Sequence, residues 1–190
     1  MTHKGVKIVV IAPTDRQAGE LFSKIKFYIE RGPLAIAVKR SRLREIEMIN
    51  GSITRCFPVG DNGATIRGLT GDVIIMEEAA FIKDDIVNNV ITPMGAATDA
   101  KYIKISTPFG MNHFYKSAFN EKWTLHQVGY MKAIEAGLFS EKFIEEQKDL
   151  LTDMEFRTEY GAEFIPDEDA YFKSEVILRA MSDHKMIEGL

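Results

Sequence analysis

Two short runs, Val6–Ala12 and Val73–Met76, are almost wholly apolar and rich in β-branched residues, and they constrain the fold more than anything else in the sequence. An uninterrupted run of this kind fits a strand buried on both faces, the situation of a parallel sheet covered by helices on both sides. Between them Thr14 can cap a helix whose apolar residues fall at Ala18, Leu21, Phe22, Ile25, Tyr28 and Ile29, a helical stripe. Strand followed by helix followed by strand predicts an α/β domain with a mainly parallel sheet.

Leu43–Phe57 has a different period. Apolar and polar residues alternate on either side of Asn50-Gly51, which predicts a hairpin because both turn residues tolerate positive φ. Leu34–Val38 is a further short apolar run. The glycine-rich stretch from Pro58 to Gly71 reads as a loop, Ile86–Ile91 as a helix ending at Pro93, and Tyr102–Ser106 as a third buried strand. Trp123–Val128 is expected as a fourth. Asn112, Ser140 and Thr152 are candidate helix caps, the last forming a capping box with Glu155.

The 190 residues carry a net charge of −4, 45 % hydrophobic and 27 % charged residues, which suits a folded domain and excludes a protein coated in positive charge. The densest basic run is Lys39-Arg40-Ser41-Arg42-Leu43-Arg44, read as a solvated loop or as a phosphate-contacting one. The single cysteine, Cys56, allows no internal disulfide. No apolar run is long enough to span a bilayer. His3, His113, His126 and His184 are too scattered for metal-ligand spacing, and His113 reads as a packed or capping residue. Asp167, Glu168 and Asp169 read as a solvated linker rather than a metal cluster.

The second buried run ends in two acids, Glu77 and Glu78. At the carboxyl end of a parallel strand, side chains sit where α/β sheets place ligands. One acid there can hold Mg²⁺ and the other can orient the water that attacks a phosphate. The alternative is that the pair merely starts a helix, complementing its dipole. Upstream, Arg67 stands in a glycine loop, either as a surface charge or as a group that neutralises transition-state charge. Downstream, Ser106-Thr107-Pro108 ends the third strand with two hydroxyls.

The order of IVVIAPT, INGSI, IRGLTGDVIIMEEAAFI and ISTPFGMNHFY resembles the ATPase domain of large terminase subunits, the motors that package DNA into tailed-phage heads. The resemblance runs from about Val6 to Phe172. It implies a P-loop NTPase core (RecA/ASCE-like), with Mg²⁺ and ATP as cofactors and hydrolysis coupled to movement of double-stranded DNA. By position it implies Glu77 for the metal, Glu78 as the catalytic carboxylate with Arg67, and Ser106, Thr107 and Pro108 as the coupling motif. The family's usual metal-binding residue is Asp, so Glu77 is a departure. A second departure is the lack of any Gly-Lys pair, hence of the phosphate loop G-x-x-x-x-G-K-[ST].

In the family that loop precedes the strand matching Val6–Ala12, so the core reads as incomplete at its N-terminus and the isolated chain as a weak or inactive ATPase. Its loss would also leave Tyr102–Ser106 without a neighbour, an edge expected to be covered by a second chain or by Trp123–Val128 moved inward. The organisation expected is a partial ATPase core over residues 1–138 and a helical segment over 139–190 leading towards a nuclease domain. Glu155-Phe156-Arg157-Thr158-Glu159-Tyr160 resembles the end of the family's ATPase domain. The partners implied are duplex DNA, the portal and the small terminase subunit, in the host cytosol; Arg40, Arg42 and Arg44 are the candidate DNA contacts. The competing reading is a non-catalytic assembly or DNA-binding module that keeps the fold.

Overall fold

The computed structural model describes residues 5–165. Two compact units divide at Ser106/Thr107, earlier than the boundary at 138/139 that the sequence suggested.

The first unit is built on six strands: β1 (Lys7–Ala12), β2 (Val38–Ser41), β3 (Glu45–Met48), β4 (Ile53–Pro58), β5 (Val73–Glu77) and β6 (Lys101–Ile105), ordered β2-β3-β4-β1-β5-β6. β4, β1, β5 and β6 are parallel; β2 and β3 pair antiparallel on the other side. The two apolar runs become β1 and β5, adjacent in the centre, with Ile8 opposite Val73 and Ile11 opposite Met76. The Asn50-Gly51 hairpin joins β3 to β4, and Gly51 takes φ 81°, a conformation costly for residues with a Cβ.

One long helix, α1 (Asp15–Arg31), is started by Thr14, whose hydroxyl accepts from the Gln17 amide. It covers one face of the sheet through Ala18 and Phe22, which pack with Val10, Ala12, Ile46 and Cys56. The expected stripe is correct except for Tyr28, which is 74 % exposed. Residues of opposite parity on β1 and β5, Val9, Ile11, Ile74 and Met76, are buried on the second face. Buried with them are Ile86, Val87, Val90, Ile91 and Met94, from α2 (Asp84–Ile86), a π-helical segment Val87–Ile91 and α3 (Thr92–Met94). Pro93 has no amide proton, and the amide of Thr92 just before it bonds back to Val87 O, the five-residue reach of a π-turn.

Three expectations change. The basic run is not a loop: Lys39–Ser41 belongs to β2, held by pairing with β3. Trp123–Val128 contains no strand; Leu125 and Val128 are exposed, and Gln127 bonds sideways to Ala162 O. It therefore does not cover β6, whose outer side pairs with no strand among the described residues. Ile103 and Ile105 are 45 % and 50 % exposed there.

The second unit carries four helices among the described residues: α4 (His113–Ala118), α5 (Tyr130–Glu135), α6 (Glu141–Leu150) and α7 (Asp153–Glu159). Asn112 and Ser140 cap α4 and α6, and Thr152 with Glu155 forms the capping box of α7, as the sequence implied. His113 is a buried residue at the start of α4, in keeping with a packed role. Rings of Tyr130, Phe139, Phe143, Phe156 and Tyr160 pack edge-on and stacked to join α5, α6 and α7. His3, His184 and the triad Asp167, Glu168 and Asp169 lie outside the described residues.

Candidate active site at the carboxyl ends of β5 and β6

β5 ends on Glu77. Strand alternation turns its side chain to the α1 face, the same face as Ile75 and, across the parallel ladder, Ile105. Glu77 is half-buried. Its pKa is raised, first by burial and next by the neighbouring Glu78 charge, with Lys24 of α1 partly offsetting both. A carboxylate in that condition has a surplus of negative potential, and a hard cation relieves it better than a proton near neutral pH.

Glu78 leaves the strand. Its backbone is left-handed, φ 48° and ψ 45°, an arrangement that costs a residue with a Cβ about 1–2 kcal/mol. Glu78 stands at the N-cap of the 3₁₀ turn Ala79–Phe81 and makes no side-chain cap bond to it. The left-handed turn aims the two carboxylates differently, and only a single 3₁₀ turn, Ala79–Phe81, follows. Strain of this kind concentrates where side-chain direction matters more than stability.

The parallel register that sets Glu77 opposite Ile105 brings the next residue of β6 beside Glu78. The Ser106 hydroxyl lies 3.4 Å from Glu78 Oε2 and accepts from the Ala80 amide at 3.2 Å. A hydroxyl that accepts from an amide has its own proton left for the carboxylate, so the tips of β5 and β6 are tied through one side chain. Thr107 and Pro108 follow in the chain, Pro108 buried, at the start of the second unit.

Arg67 is exposed, directly after the 3₁₀ turn Ala64–Ile66. The next residues, Gly68, Leu69 and Thr70, line a cavity of ≈ 190 Å³ with Lys7, Ile8, Val9, Ile53, Arg55 and Phe57. The backbone carrying Arg67 thus runs towards the beginning of β5. The three arginines of the basic run part company. Arg40 is exposed on β2 in register with Glu47. Arg42 meets Glu45 at 3.5 Å. Arg44 turns to the α1 face and bonds Asp15 through Nη2, 2.9 Å to Oδ1 and 3.0 Å to the backbone carbonyl. Cys56 is buried, and burial pushes its thiol up to about 11, which keeps it an inert strand residue.

Two charged residues near the site had no signal in the sequence. Lys24, exposed on α1, acts on Glu77 through its charge, from a position that helical periodicity marks only as solvent-facing. Lys104, two residues before Ser106, is turned inward on β6. Burial pushes its pKa down to about 8 against an ordinary 10.5, although Asp84 acts the other way. The folded chain therefore holds this proton less tightly than the unfolded one. Lys104 adds stability as pH rises from about 8 towards 10.5 and costs stability below that window. Subtracting urea-melt stabilities of Lys104→Met from those of the native chain is expected to give a difference that rises over this window; a flat difference would show that Lys104 is solvated.

Among the described residues no group of three or more His, Cys, Asp or Glu side chains is placed to hold a metal by itself. Glu77 and Glu78 nevertheless fit Mg²⁺, which takes one or two carboxylates and completes its shell with water and substrate phosphate. The donor set is all oxygen, and burial with mutual repulsion leaves it under-neutralised.

Residues 1–179 match the family described as terminase large subunit, T4likevirus-type, N-terminal. The terminase large subunit of Thermus phage G20c is 25 % identical over 196 residues, an alignment covering 86 % of this chain and 40 % of that protein. The chain thus spans about two-fifths of the length of the curated relatives it matches. Among solved structures, the large terminase ATPase domain of Thermus phage P74-26 superposes with a TM-score of 0.66 at 24 % identity, covering 87 % of this chain and 79 % of that one. A large terminase from a thermophilic bacteriophage in complex with ADP superposes with a TM-score of 0.63 at 18 % identity, covering 86 % and 42 %. A six-stranded sheet ending in an acidic pair, and a family match along nearly the whole sequence, lead to one conclusion: the chain belongs to the phage terminase large subunit family, in its N-terminal, ATPase-domain region.

Proposed function

We propose that this chain forms the hydrolytic wall of a DNA-packaging ATPase, in which ATP hydrolysis drives movement of double-stranded DNA. The observation that carries the reading is the Glu78 carboxylate, held out of line by a left-handed backbone and tied through Ser106 to the tip of the neighbouring strand. Glu78 orients the attacking water and takes its proton. Glu77 holds Mg²⁺, which supplies charge neutralisation for the transferred phosphoryl group. Ser106 shares its proton with Glu78 and sits where the chain passes into the second unit. A change in the charge of Glu78 is therefore felt at the junction that Thr107 and Pro108 continue. Arg67 is assigned to transition-state charge, as an exposed residue of the loop before β5.

The nucleotide's triphosphate needs a cradle of amides and a lysine as well. No Gly-Lys pair occurs in the sequence, so this chain by itself binds ATP weakly. Along the outer side of β6, where no strand pairs among the described residues, a further strand from a second copy would add. The portal, the small terminase subunit and a cytosolic site of action follow from the family reading; no described helix is long and apolar enough to cross a membrane.

The test is thermal melting of the chain with millimolar ATP, with and without Mg²⁺. A small rise in Tm that needs Mg²⁺ and disappears in Glu77→Gln is expected, since binding to the native state stabilises it by mass action. A rise of equal size in Glu77→Gln, or one independent of Mg²⁺, would remove Glu77 from the metal site. No rise beside robust DNA binding would favour the non-catalytic reading.

A further inference from the structure

α1 and the connection between β2 and β3 close on a cavity of ≈ 510 Å³, lined by Gly19, Glu20, Ser23, Lys24, Leu43 and Arg44. The helical residues fall in two adjacent rows, 19 with 23 and 20 with 24, each four apart. Glycine is a poor residue for a helix interior, and its reason at position 19 is Arg44. A Cβ there would stand 3.2 Å from Nη2 and 3.5 Å from Cζ of that side chain, so the bare helix surface lets the guanidinium lie against it.

The polar groups around the cavity divide into those already satisfied and those not. Nη2 of Arg44 bonds the Oδ1 and the backbone carbonyl of Asp15. Nη1 is shielded from solvent and has no acceptor among the described residues. The Cys56 thiol beside the guanidinium serves poorly as one, since it is protonated and donates to Ala18 O at 3.2 Å. A buried donor without a partner is costly, so Arg44 holds unused capacity for an anion. Lys24 is exposed and bonds to no acid among the described residues; it acts on Glu77 through charge alone. The nearby acids are already engaged, Glu20 with Arg16 at 3.1 Å and Asp15 with Arg44 at 2.9 Å. The Ser23 hydroxyl donates to Gly19 O, which leaves the ammonium and the guanidinium as the side-chain donors open to a ligand. Leu43 stands beside them, an apolar side chain 85 % exposed.

The geometry points to a binding site for a small phosphorylated molecule, its phosphate between Lys24 and Arg44 and its apolar body against Leu43. Two cations brought from two separate elements suit a dianion better than a single carboxylate, and the guanidinium is the side chain best shaped for phosphate oxygens. The volume argues the same way. It lies within the range of small-molecule pockets and leaves room beyond a bare phosphate for an organic group. Covering Leu43 removes apolar surface from water, which gives that organic group a reason to lie there. The site uses no residue of the acidic pair and requires no nucleotide.

The experiment is a titration of the ¹⁵N-labelled full chain with phenyl phosphate at constant ionic strength, followed by amide chemical shifts. Saturable shifts at Gly19, Ser23, Leu43 and Arg44 are expected. Lys24→Met should weaken binding about tenfold, the loss of one charge-assisted bond. Lys26→Met, on the same helix and paired with Glu30 at 3.8 Å, should leave binding unchanged. Leu43→Ser should bring phenyl phosphate down to the affinity of inorganic phosphate without moving the latter. Benzoate, with the same ring and a single charge, should bind several-fold more weakly. Tm and the remaining amide shifts confirm that each variant is folded. Benzoate binding as tightly as phenyl phosphate, equal losses in Lys24→Met and Lys26→Met, or shifts that never saturate would each overturn the site. The titration contains neither ATP nor Mg²⁺, so its failure leaves the ATPase reading standing, and failure of that reading leaves this site.

Discussion

On the packaging-ATPase proposal, Glu78→Gln is expected to lower ATP turnover by about 10²–10⁴-fold while leaving ATP affinity within a few-fold of native. The magnitude is that of removing a positioned general base. The amide keeps the size of the side chain and can still accept from Ser106, so the loss reflects the missing charge and proton acceptor rather than a collapsed site. The signature is a fall in kcat and kcat/KM together, the mark of an interaction made only in the transition state. Glu77→Gln is expected to differ: its defect appears in Mg²⁺-dependent nucleotide binding. Stability gives a second readout. Glu78→Gly relieves the left-handed strain, worth about 1 kcal/mol once the extra chain entropy of glycine is counted. For a chain of this size it should raise Tm by about 2–4 °C while abolishing turnover. Turnover that survives Glu78→Gln, or a Glu78→Gly variant that melts below native, would show that residue 78 is an ordinary turn residue.

The parts of this architecture that could be read in advance are those encoded by local pattern. β1 and β5 announce themselves because a strand buried on both faces must be apolar at every position, and Val6–Ala12 and Val73–Met76 nearly are. The hairpin is carried by Asn50-Gly51, and the helix starts by Thr14, Asn112, Ser140 and Thr152, whose side chains do in the structure what their positions promise. What could not be read depends on partners far away in the chain. Lys39–Ser41 has no apolar alternation; it becomes a strand because Glu45 and Glu47 lie across from it. Trp123–Val128 holds three apolar residues in six, yet apolar content does not supply a neighbouring strand. The acidic pair was legible as a strand terminus, but the left-handed turn at Glu78 and the bridge through Ser106 are set by register. Neither residue carries a mark of them.

Phe22→Ala is expected to be the most damaging single truncation in the first unit, costing about 3–5 kcal/mol. Phe22 is 1 % exposed, and it is the large side chain by which α1 seats on the sheet, packed with Val10, Ile46 and Cys56. The cavity left cannot be filled from α1 itself, because its neighbours there are Ala18, Leu21 and Ile25. The helix also carries Asp15, which holds Arg44 of the β2–β3 connection, so loosening α1 loosens the antiparallel side of the sheet as well. At about 2–4 °C per kcal/mol, Tm should drop by roughly 6–20 °C. The comparison is Phe27→Ala on the same helix. That ring is 49 % exposed, and its notable contact is the Arg31 guanidinium 4.4 Å above it. A cation–π pair at such a site is worth about 0.5–1 kcal/mol. Urea denaturation should therefore separate two phenylalanines that composition cannot tell apart. If the two truncations cost the same, α1 does not seat on the sheet through Phe22, and the placement of Lys24 near Glu77 loses its support.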